Sequence, residues 1–222
     1  MSLAACRPLA YQTLAQQMED VETTQGLLRA AIAISMHEWP DTNVAEVERA
    51  IGSLASRIRS RVHGAGRSAL LAHLHEEFFE KQGFRGAKRN YYAAENSYLP
   101  GVLARKRGIP ISLSLIYCVV ARRIGLRADG INAPGHFLVQ VQDDNSPILV
   151  DVFNGGRMLT RDDALQLVRE TTGDDVSCAS ALRPATHRQW LQRMLHNLML
   201  VFEMQERHTD ALAMREMLAL LK

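Results

Sequence analysis

The side chains of this sequence best suited to acid–base chemistry are His136 and Asp151. An imidazole oriented by a carboxylate acts as a general base, and the pair can activate a serine or cysteine within reach. The candidate nucleophile is Ser112, because Pro110 is typical of a helix start, where free backbone N–H groups favour negative charge. Cys118 lies mid-helix in an apolar run, where cysteine is usually an inert small hydrophobic residue. The catalytic candidates are therefore Ser112, His136 and Asp151.

A predicted β-hairpin brings His136 and Asp151 together. Two segments with strand-like alternation flank residues 143–147, which have the composition of a turn. Pairing Gln142 with Pro147 places His136 and Asp151 as diagonal neighbours, roughly 7–8 Å apart at Cα, so their side chains can hydrogen-bond. The alternative interpretation is that this pair only holds the mouth of the hairpin together. The same register places six apolar residues on one face: Phe137, Val139, Val141, Ile148, Val150 and Val152.

Most of the remaining sequence predicts helices. Apolar residues recur at helical spacing after Asn43, which lies three residues before Glu46, the spacing of an N-cap and its partner. The segment from Pro110 to Ile124 is apolar nearly all round and predicts a central, buried helix. A short strand is predicted near Ala128–Ile131. The fold class is therefore α+β and mostly helical, with a central helix packed on a small antiparallel sheet.

Three parts of the chain are predicted to have different roles. Residues 1–66 form helices that pack on a core of residues 67–185, and residues 186–222 form a C-terminal helical hairpin. Within the core, residues 84–100 show no regular period and predict a long loop, of a kind that is often functional. A single helical hairpin cannot bury both of its faces, so it must dock on the rest of the protein, on another copy or on further repeats.

Composition excludes several classes of protein. With 222 residues, 47% hydrophobic, the chain can bury a core. Its apolar runs fall short of the ~20 residues that span a bilayer. The first residues lack a basic start followed by an apolar stretch, so we expect a cytoplasmic protein without a membrane partner. The net charge of +2 is too small to argue for a nucleic-acid partner.

Cysteine and histidine usage predicts neither a disulfide framework nor a metal. Cys6, Cys118 and Cys178 are far apart and contain no Cys-x-x-Cys spacing. His73 and His75 lie two residues apart on a predicted helix, so their side chains point about 200° away from each other. No cofactor is predicted.

The stretch from Lys81 to Arg107 is strongly basic, and Glu95 is its single acid. It is either a solvated rim around the loop or a binding surface for an acidic partner. A third interpretation, nucleic-acid binding, predicts a steep dependence on salt. The cations are Lys81, Arg85, Lys88, Arg89, Arg105, Lys106 and Arg107.

Four short stretches resemble the transglutaminase-like core, a branch of the papain-like architecture. The more specific resemblance is to the bacterial Sir-B-type subgroup, in which such a core is joined to tetratricopeptide-like repeats. The sequence of residues 197–218 is similar to that of one tetratricopeptide hairpin. The stretches are Glu95-Asn96-Ser97-Tyr98-Leu99, Arg107-Gly108-Ile109-Pro110-Ile111-Ser112-Leu113, Pro134-Gly135-His136-Phe137-Leu138 and Val150-Asp151-Val152-Phe153-Asn154-Gly155-Gly156.

The resemblance implies a role for each of these residues. His136 takes the general-base position, Asp151 the orienting position, and Ser112 falls nearest the nucleophile position, within one or two residues. Transglutaminase chemistry requires a thiolate, and a serine hydroxyl needs a well-aligned base to react. Asn96 is either an oxyanion donor or a turn residue. The residues that the resemblance places in a substrate pocket are Asn96, Tyr98, Pro134, Gly135 and Phe153.

Two functions follow from these residues, and the sequence leaves both open. The first is a pseudoenzyme, a binding or regulatory module that contacts a protein partner through its C-terminal helices or its cleft, with self-association also open. The second is a Ser–His–Asp hydrolase or acyltransferase that acts on an amide or an ester. The absence of a cysteine at the expected helix start favours the first.

Overall fold

The computed structural model describes residues 3–62, 64, 66–143, 146–173 and 179–222, and it is an α+β structure dominated by helices, as predicted. The helices are α1 (Pro8–Gln16), α2 (Thr24–Ser35), α3 (Val44–Arg59), α4 (Arg67–His75), α5 (Leu99–Arg105), α6 (Pro110–Arg123), α7 (Arg161–Thr172), α8 (His187–Met204) and α9 (His208–Leu218). The strands are β1 (Arg85–Gly86), β2 (Arg107–Gly108), β3 (Ala128–Ile131), β4 (Leu138–Gln142), β5 (Pro147–Asp151) and β6 (Arg157–Leu159).

Strands β3 to β6 form one antiparallel sheet in the order β3-β4-β5-β6. Gln142 pairs with Pro147 and Val139 pairs with Val150, which confirms the predicted register of the hairpin. Strand β3 also has the predicted bounds. Residues 144 and 145 of the predicted turn lie outside the described residues.

The two faces of this sheet pack against different helices. The apolar face predicted from the alternation joins the main core with the buried helix α6. On the other face, Leu138 and Leu149 pack with Ala164 and Val168 of α7 in a second, smaller core. Side chains two residues apart on a strand lie on the same face of the sheet. His136 is two residues before Leu138 and Asp151 is two residues after Leu149, so both lie on the side of the sheet that α7 covers.

Helix α6 is central, as its apolar sequence predicts. Its side chains are buried from Pro110 through Ala121, and it contacts the sheet as well as helices α3 and α8. Helix α3 begins at the predicted N-cap, where the Asn43 side chain accepts a hydrogen bond from the Glu46 backbone N–H. Local sequence signals and core packing agree for these two helices.

The C-terminal hairpin of α8 and α9 docks on the rest of the chain, mainly through α8 against α2. The apolar stripe of α8, which includes Trp190 and Phe202, is buried. On α9, Leu212 is 40% exposed although it is apolar. Ala211 and Met214 are buried in its place.

The segment 84–100 contains more structure than the predicted loop. Strand β1 pairs in parallel with β2, so that Arg85 lies beside Arg107 and Gly86 beside Gly108. A 3-10 turn spans Ala94–Asn96, and α5 begins three residues later. Two-residue strands carry no periodic signal, which is why the sequence pattern does not reveal this pairing.

A π-helical turn, Glu76–Lys81, continues directly from α4 and carries buried side chains. Just before it, His75 is partly buried against Phe79, and its Nε2 lies 2.8 Å from the Tyr117 hydroxyl. Burial lowers the pKa of the His75 imidazole from 6.5 to about 4. Between pH 6.5 and about 4, His75 is therefore mainly neutral in the native protein but protonated in the unfolded chain.

We expect the free energy of unfolding to fall by about 2 kcal/mol as the pH drops from 6.5 to 4 because of His75 alone. Between these values the unfolded state binds more protons at this residue than the native state does, so stability rises with pH. Urea unfolding across this range should therefore show a shallower pH slope in His75→Gln than in the wild type. Equal slopes in the two proteins would contradict the prediction.

The described helices offer no candidate for a membrane span, because none combines sufficient length with sufficient apolar character.

Candidate active-site cleft

The predicted hydrogen bond between His136 and Asp151 is present, with His136 Nε2 3.0 Å from Asp151 Oδ1. Both residues are buried, with exposed fractions of 7% and 1%. Asn154 completes the arrangement: its backbone N–H donates to Asp151 Oδ1 over 3.1 Å, and its side-chain amide donates to Oδ2 over 2.7 Å. Three donors thus converge on one buried carboxylate.

The surroundings of Asp151 favour its charged form. Burial by itself raises the pKa of the carboxyl group, but the hydrogen bond and the charge of His136, together with the two hydrogen bonds from Asn154, lower it below its ordinary value overall. An ionised Asp151 orients the imidazole through Nε2. The other ring nitrogen, Nδ1, has no hydrogen-bond partner in the part of the chain that the structure describes.

A cleft of about 560 Å³ opens beside His136. One wall is the start of α6, one is the C-terminal turn of α7, and the segment before α5 supplies two tyrosines. Among its aromatic residues, Phe153 lies edge-on to the His136 ring, with centroids 6.1 Å apart. The lining residues are Lys88, Tyr91, Tyr92, Pro110, Gly135, His136, Phe153, Asn154, Leu167 and Thr171.

Ser112 is fully buried in the first turn of α6 and is not among the residues that line this cleft. Its hydroxyl lies 2.6 Å from the Asn96 carbonyl oxygen and 3.1 Å from that of Ile109. The hydroxyl proton is therefore bound by backbone acceptors, and no hydrogen bond joins Ser112 to His136. The catalytic role of Ser112 stays a prediction.

The residue of α6 that lines the cleft with His136 is Pro110, at the first position of the helix. Proline has no group that could act as a nucleophile or a base. Cys118 is buried deep in the helix, and burial raises the pKa of its thiol far above the ordinary range. Burial likewise raises the pKa of Cys6 to about 11, so neither thiol is activated. Cys178 lies outside the described residues.

The residues predicted to line a substrate pocket divide into two groups. Gly135 and Phe153 line the cleft, and Pro134 is exposed beside them. Asn96 does not line the cleft but is a largely buried lining residue of the neighbouring groove, and Tyr98 is buried. The Asn96 amide donates to the Asn90 carbonyl, which is the contact expected of a turn residue.

Tyr98 packs edge-on against Trp39, with ring centroids 5.2 Å apart, and burial raises the pKa of its hydroxyl well above the ordinary value. This tyrosine supports the core beneath the loop. Its assignment as a substrate contact stays a prediction.

Sequence reasoning missed the wall of the cleft that α7 supplies. Leu167 and Thr171 lie on this helix, which begins at a capping box formed by Thr160 and Asp163. The capping-box spacing could have revealed the helix, but it could not have revealed the position of the helix over the sheet. Asn154 was also missed, although an aspartate three residues before an asparagine is compatible with the turn that joins them.

The described residues contain no group of three or more histidine, cysteine or acidic side chains placed to hold a metal ion.

The family model of the transglutaminase-like superfamily matches residues 45–196, which is more than half of the chain and includes the whole cleft. The chain belongs to this superfamily. The match runs from α3 into α8, so the helix α6, the sheet and the His136–Asp151 pair all lie within it.

Curated relatives of this superfamily member occur in bacteria and in animals. A UPF0162 protein of Xylella fastidiosa (strain 9a5c) is 37% identical over 186 residues, which cover 82% of this chain and 66% of the relative. A UPF0162 protein of Pseudomonas aeruginosa is 28% identical over 172 residues, 78% of this chain and 63% of the relative. Human F-box only protein 21 is 27% identical over 215 residues, 83% of this chain and 33% of the relative.

The chain thus spans about two thirds or less of the length of these relatives. No solved structure matches it.

Proposed function

We propose that this transglutaminase-like chain is a binding module whose cleft retains the His136–Asp151 pair but carries out no covalent chemistry. The observation that carries the proposal is the identity of the residue at the start of α6, because Pro110 lines the cleft beside His136 and Ser112 does not. A nucleophile must come within hydrogen-bond reach of its base. The two hydrogen bonds of the Ser112 hydroxyl to backbone oxygens hold it away from that role.

The cleft has the features of a site for a polypeptide segment. It combines three aromatic rings, Tyr91, Tyr92 and Phe153, with the polar edge of His136. Aromatic side chains supply large contact areas, and a few polar groups fix orientation. Tyr92 is 51% exposed, so part of this apolar surface is open to a partner.

Several finer assignments belong to the same proposal. We assign the chain to the bacterial Sir-B-type subgroup and its α8–α9 hairpin to a tetratricopeptide-like unit, and we place the protein in the cytoplasm. The motif likeness around Ser112 and His136 supports the subgroup, and the packing of α8 on α9 as a helical hairpin supports the tetratricopeptide-like unit. A core of residues 67–185 between an N-terminal helical part and this hairpin is the corresponding division of the chain.

A fluorophosphonate probe separates this proposal from a Ser–His–Asp hydrolase. We expect no adduct on the wild-type protein by intact mass, because the Ser112 hydroxyl is buried and hydrogen-bonded to the backbone. Ser112→Ala should show the same absence, with a melting curve to establish that it is folded. A stoichiometric adduct on Ser112 that disappears in folded His136→Ala would overturn the proposal in favour of hydrolase or acyltransferase chemistry.

A further inference from the structure

A groove of about 740 Å³ lined by cations lies near the cleft. It adjoins the cleft, because Lys88, Phe153 and Asn154 line both. Among the described residues that line it, Glu95 is the only acid, and it lies 3.9 Å from Arg105 Nη1. The cationic lining residues are Arg85, Lys88, Arg89, Arg105 and Arg107.

Two cations of the basic stretch are engaged outside the groove. Lys81 forms an ion pair with Glu76 over 2.7 Å, and the Lys106 ammonium lies 4.7 Å from the centre of the Phe84 ring. The basic stretch is therefore not a uniformly solvated rim. Its other five cations line a single groove.

Arg85 and Arg107 lie side by side on β1 and β2, as direct partners in the parallel pairing. Neighbouring strands are about 4.8 Å apart, and like charges placed opposite each other are destabilising. Neither arginine forms an ion pair with a carboxylate within the described residues. By contrast, Arg61 pairs with Glu77 over 2.7 Å and Arg122 with Asp129 over 2.6 Å.

Backbone carbonyls hold both guanidinium groups in place through one nitrogen each. Arg107 Nη1 donates to the carbonyls of Gly83 and Lys106 over 2.7 and 2.8 Å. Arg85 Nη1 donates in the same way to the carbonyls of Phe79 and Phe84. Carbonyl acceptors fix the orientation without neutralising the charge.

The Nε and Nη2 atoms of both arginines have no hydrogen-bond partner among the described residues. These two atoms form the edge of a guanidinium that receives a carboxylate in a two-pronged hydrogen bond. Both arginines line the same groove, and each keeps this edge free of hydrogen-bond partners among the described residues. This arrangement is prepared for a ligand with two or more carboxylates.

We propose that the groove binds an acidic polypeptide segment, whose Asp or Glu side chains are clamped by Arg85 and Arg107 and whose chain continues past Phe153 towards His136. The inference rests on the proposed binding function, since it names the class of ligand. A groove of this volume has the size of a ligand pocket. A nucleic-acid duplex would require a longer basic surface. The net charge of +2 also argues against a general nucleic-acid-binding surface.

Fluorescence anisotropy with a labelled peptide of alternating Glu and Gly residues tests the proposal. We expect saturable binding that weakens as salt rises, and no binding of the matching Gln–Gly peptide. Arg107→Glu should abolish binding. The double variant Arg85→Lys/Arg107→Lys keeps both charges and loses the two-pronged geometry, so we expect about tenfold weaker binding.

Two further variants guard against effects on folding. Lys88→Glu/Arg89→Glu changes exposed groove residues and should weaken binding of the acidic peptide without changing the melting temperature. Arg127→Glu makes the same change of charge per residue at an exposed position outside the groove and should leave binding unchanged.

Equal binding of the Glu and Gln peptides, or equal losses in Arg107→Glu and Arg127→Glu, would overturn the proposal. So would an unlabelled thymidine oligonucleotide that displaced the peptide and bound more tightly. These outcomes are independent of the fluorophosphonate experiment. An adduct on Ser112 would remove the non-catalytic function but leave the acidic ligand class standing.

Discussion

Replacing Asp151 with alanine is expected to lower the free energy of unfolding by about 3 kcal/mol. The substitution removes an acceptor that is 1% exposed and leaves three donors without a partner: His136 Nε2–H, the Asn154 backbone N–H and the Asn154 amide. Buried donors that lose both water and their protein acceptor carry the full cost of desolvation. Urea denaturation followed by circular dichroism at pH 7 measures the loss.

Asp151→Asn is the matched control. It keeps the volume and one carbonyl acceptor but loses the negative charge, so we expect a smaller loss of about 1–2 kcal/mol. A loss below 1 kcal/mol in Asp151→Ala would mean that the pair does not hold the hairpin mouth together. The presence of the pair would then have to be explained by function and not by stability.

This stability measurement bears directly on how the cleft is interpreted. A His–Asp pair that secures a hairpin and a His–Asp pair that serves a ligand make the same hydrogen bond. They differ in what His136→Ala does to a folded protein. Loss of acidic-peptide binding in a variant that melts like the wild type would assign the imidazole to the ligand, whereas loss of stability alone would assign it to the fold.

The hairpin and its His–Asp contact could be predicted because the controlling signals are local. Strict alternation on both sides of residues 143–147 permits one register that puts all the apolar side chains on one face. That register then fixes the distance between His136 and Asp151 without any long-range information. The N-cap at Asn43 is local in the same sense.

Features that depend on distant parts of the chain could not be predicted in this way. The pairing of Arg85 with Arg107 joins two-residue strands that are separated by the whole of α5. The placement of α7 over the sheet depends on a small core around Leu138 and Val168. Sequence periodicity carries no information about either of these long-range contacts.

The direction of the Ser112 side chain is a third example. A helix start at Pro110 was readable, and so was a serine two residues later. Which residue of that first turn faces His136 depends on the rotation of α6 about its axis, and this rotation is fixed by the packing of its buried side chains from Ile111 onward. An error of two residues rotates a side chain by about 200°.

Replacing Pro110 with cysteine is expected to create a reactive thiol in the cleft. Position 110 is the first residue of α6, where unpaired backbone N–H groups stabilise a thiolate, and it lines the cleft with His136. Proline and cysteine are similar in size, and the first turn of a helix does not require proline. Alkylation by iodoacetamide at pH 7, located by peptide mapping, should be ~10–100-fold faster than at Cys118, which is buried and does not line the cleft.

Thr171→Cys supplies a control within the same cleft. Thr171 lies in the last turn of α7, where the helix dipole disfavours a thiolate, so a thiol there should react slowly. Adding His136→Ala to Pro110→Cys should lower the rate, because the imidazole no longer accepts the thiol proton. Equal rates at positions 110 and 171, or a rate indifferent to His136, would mean that the start of α6 does not face the imidazole. In that case Pro110 would not occupy the place of the nucleophile, and the argument for a cleft without covalent chemistry would lose its main support.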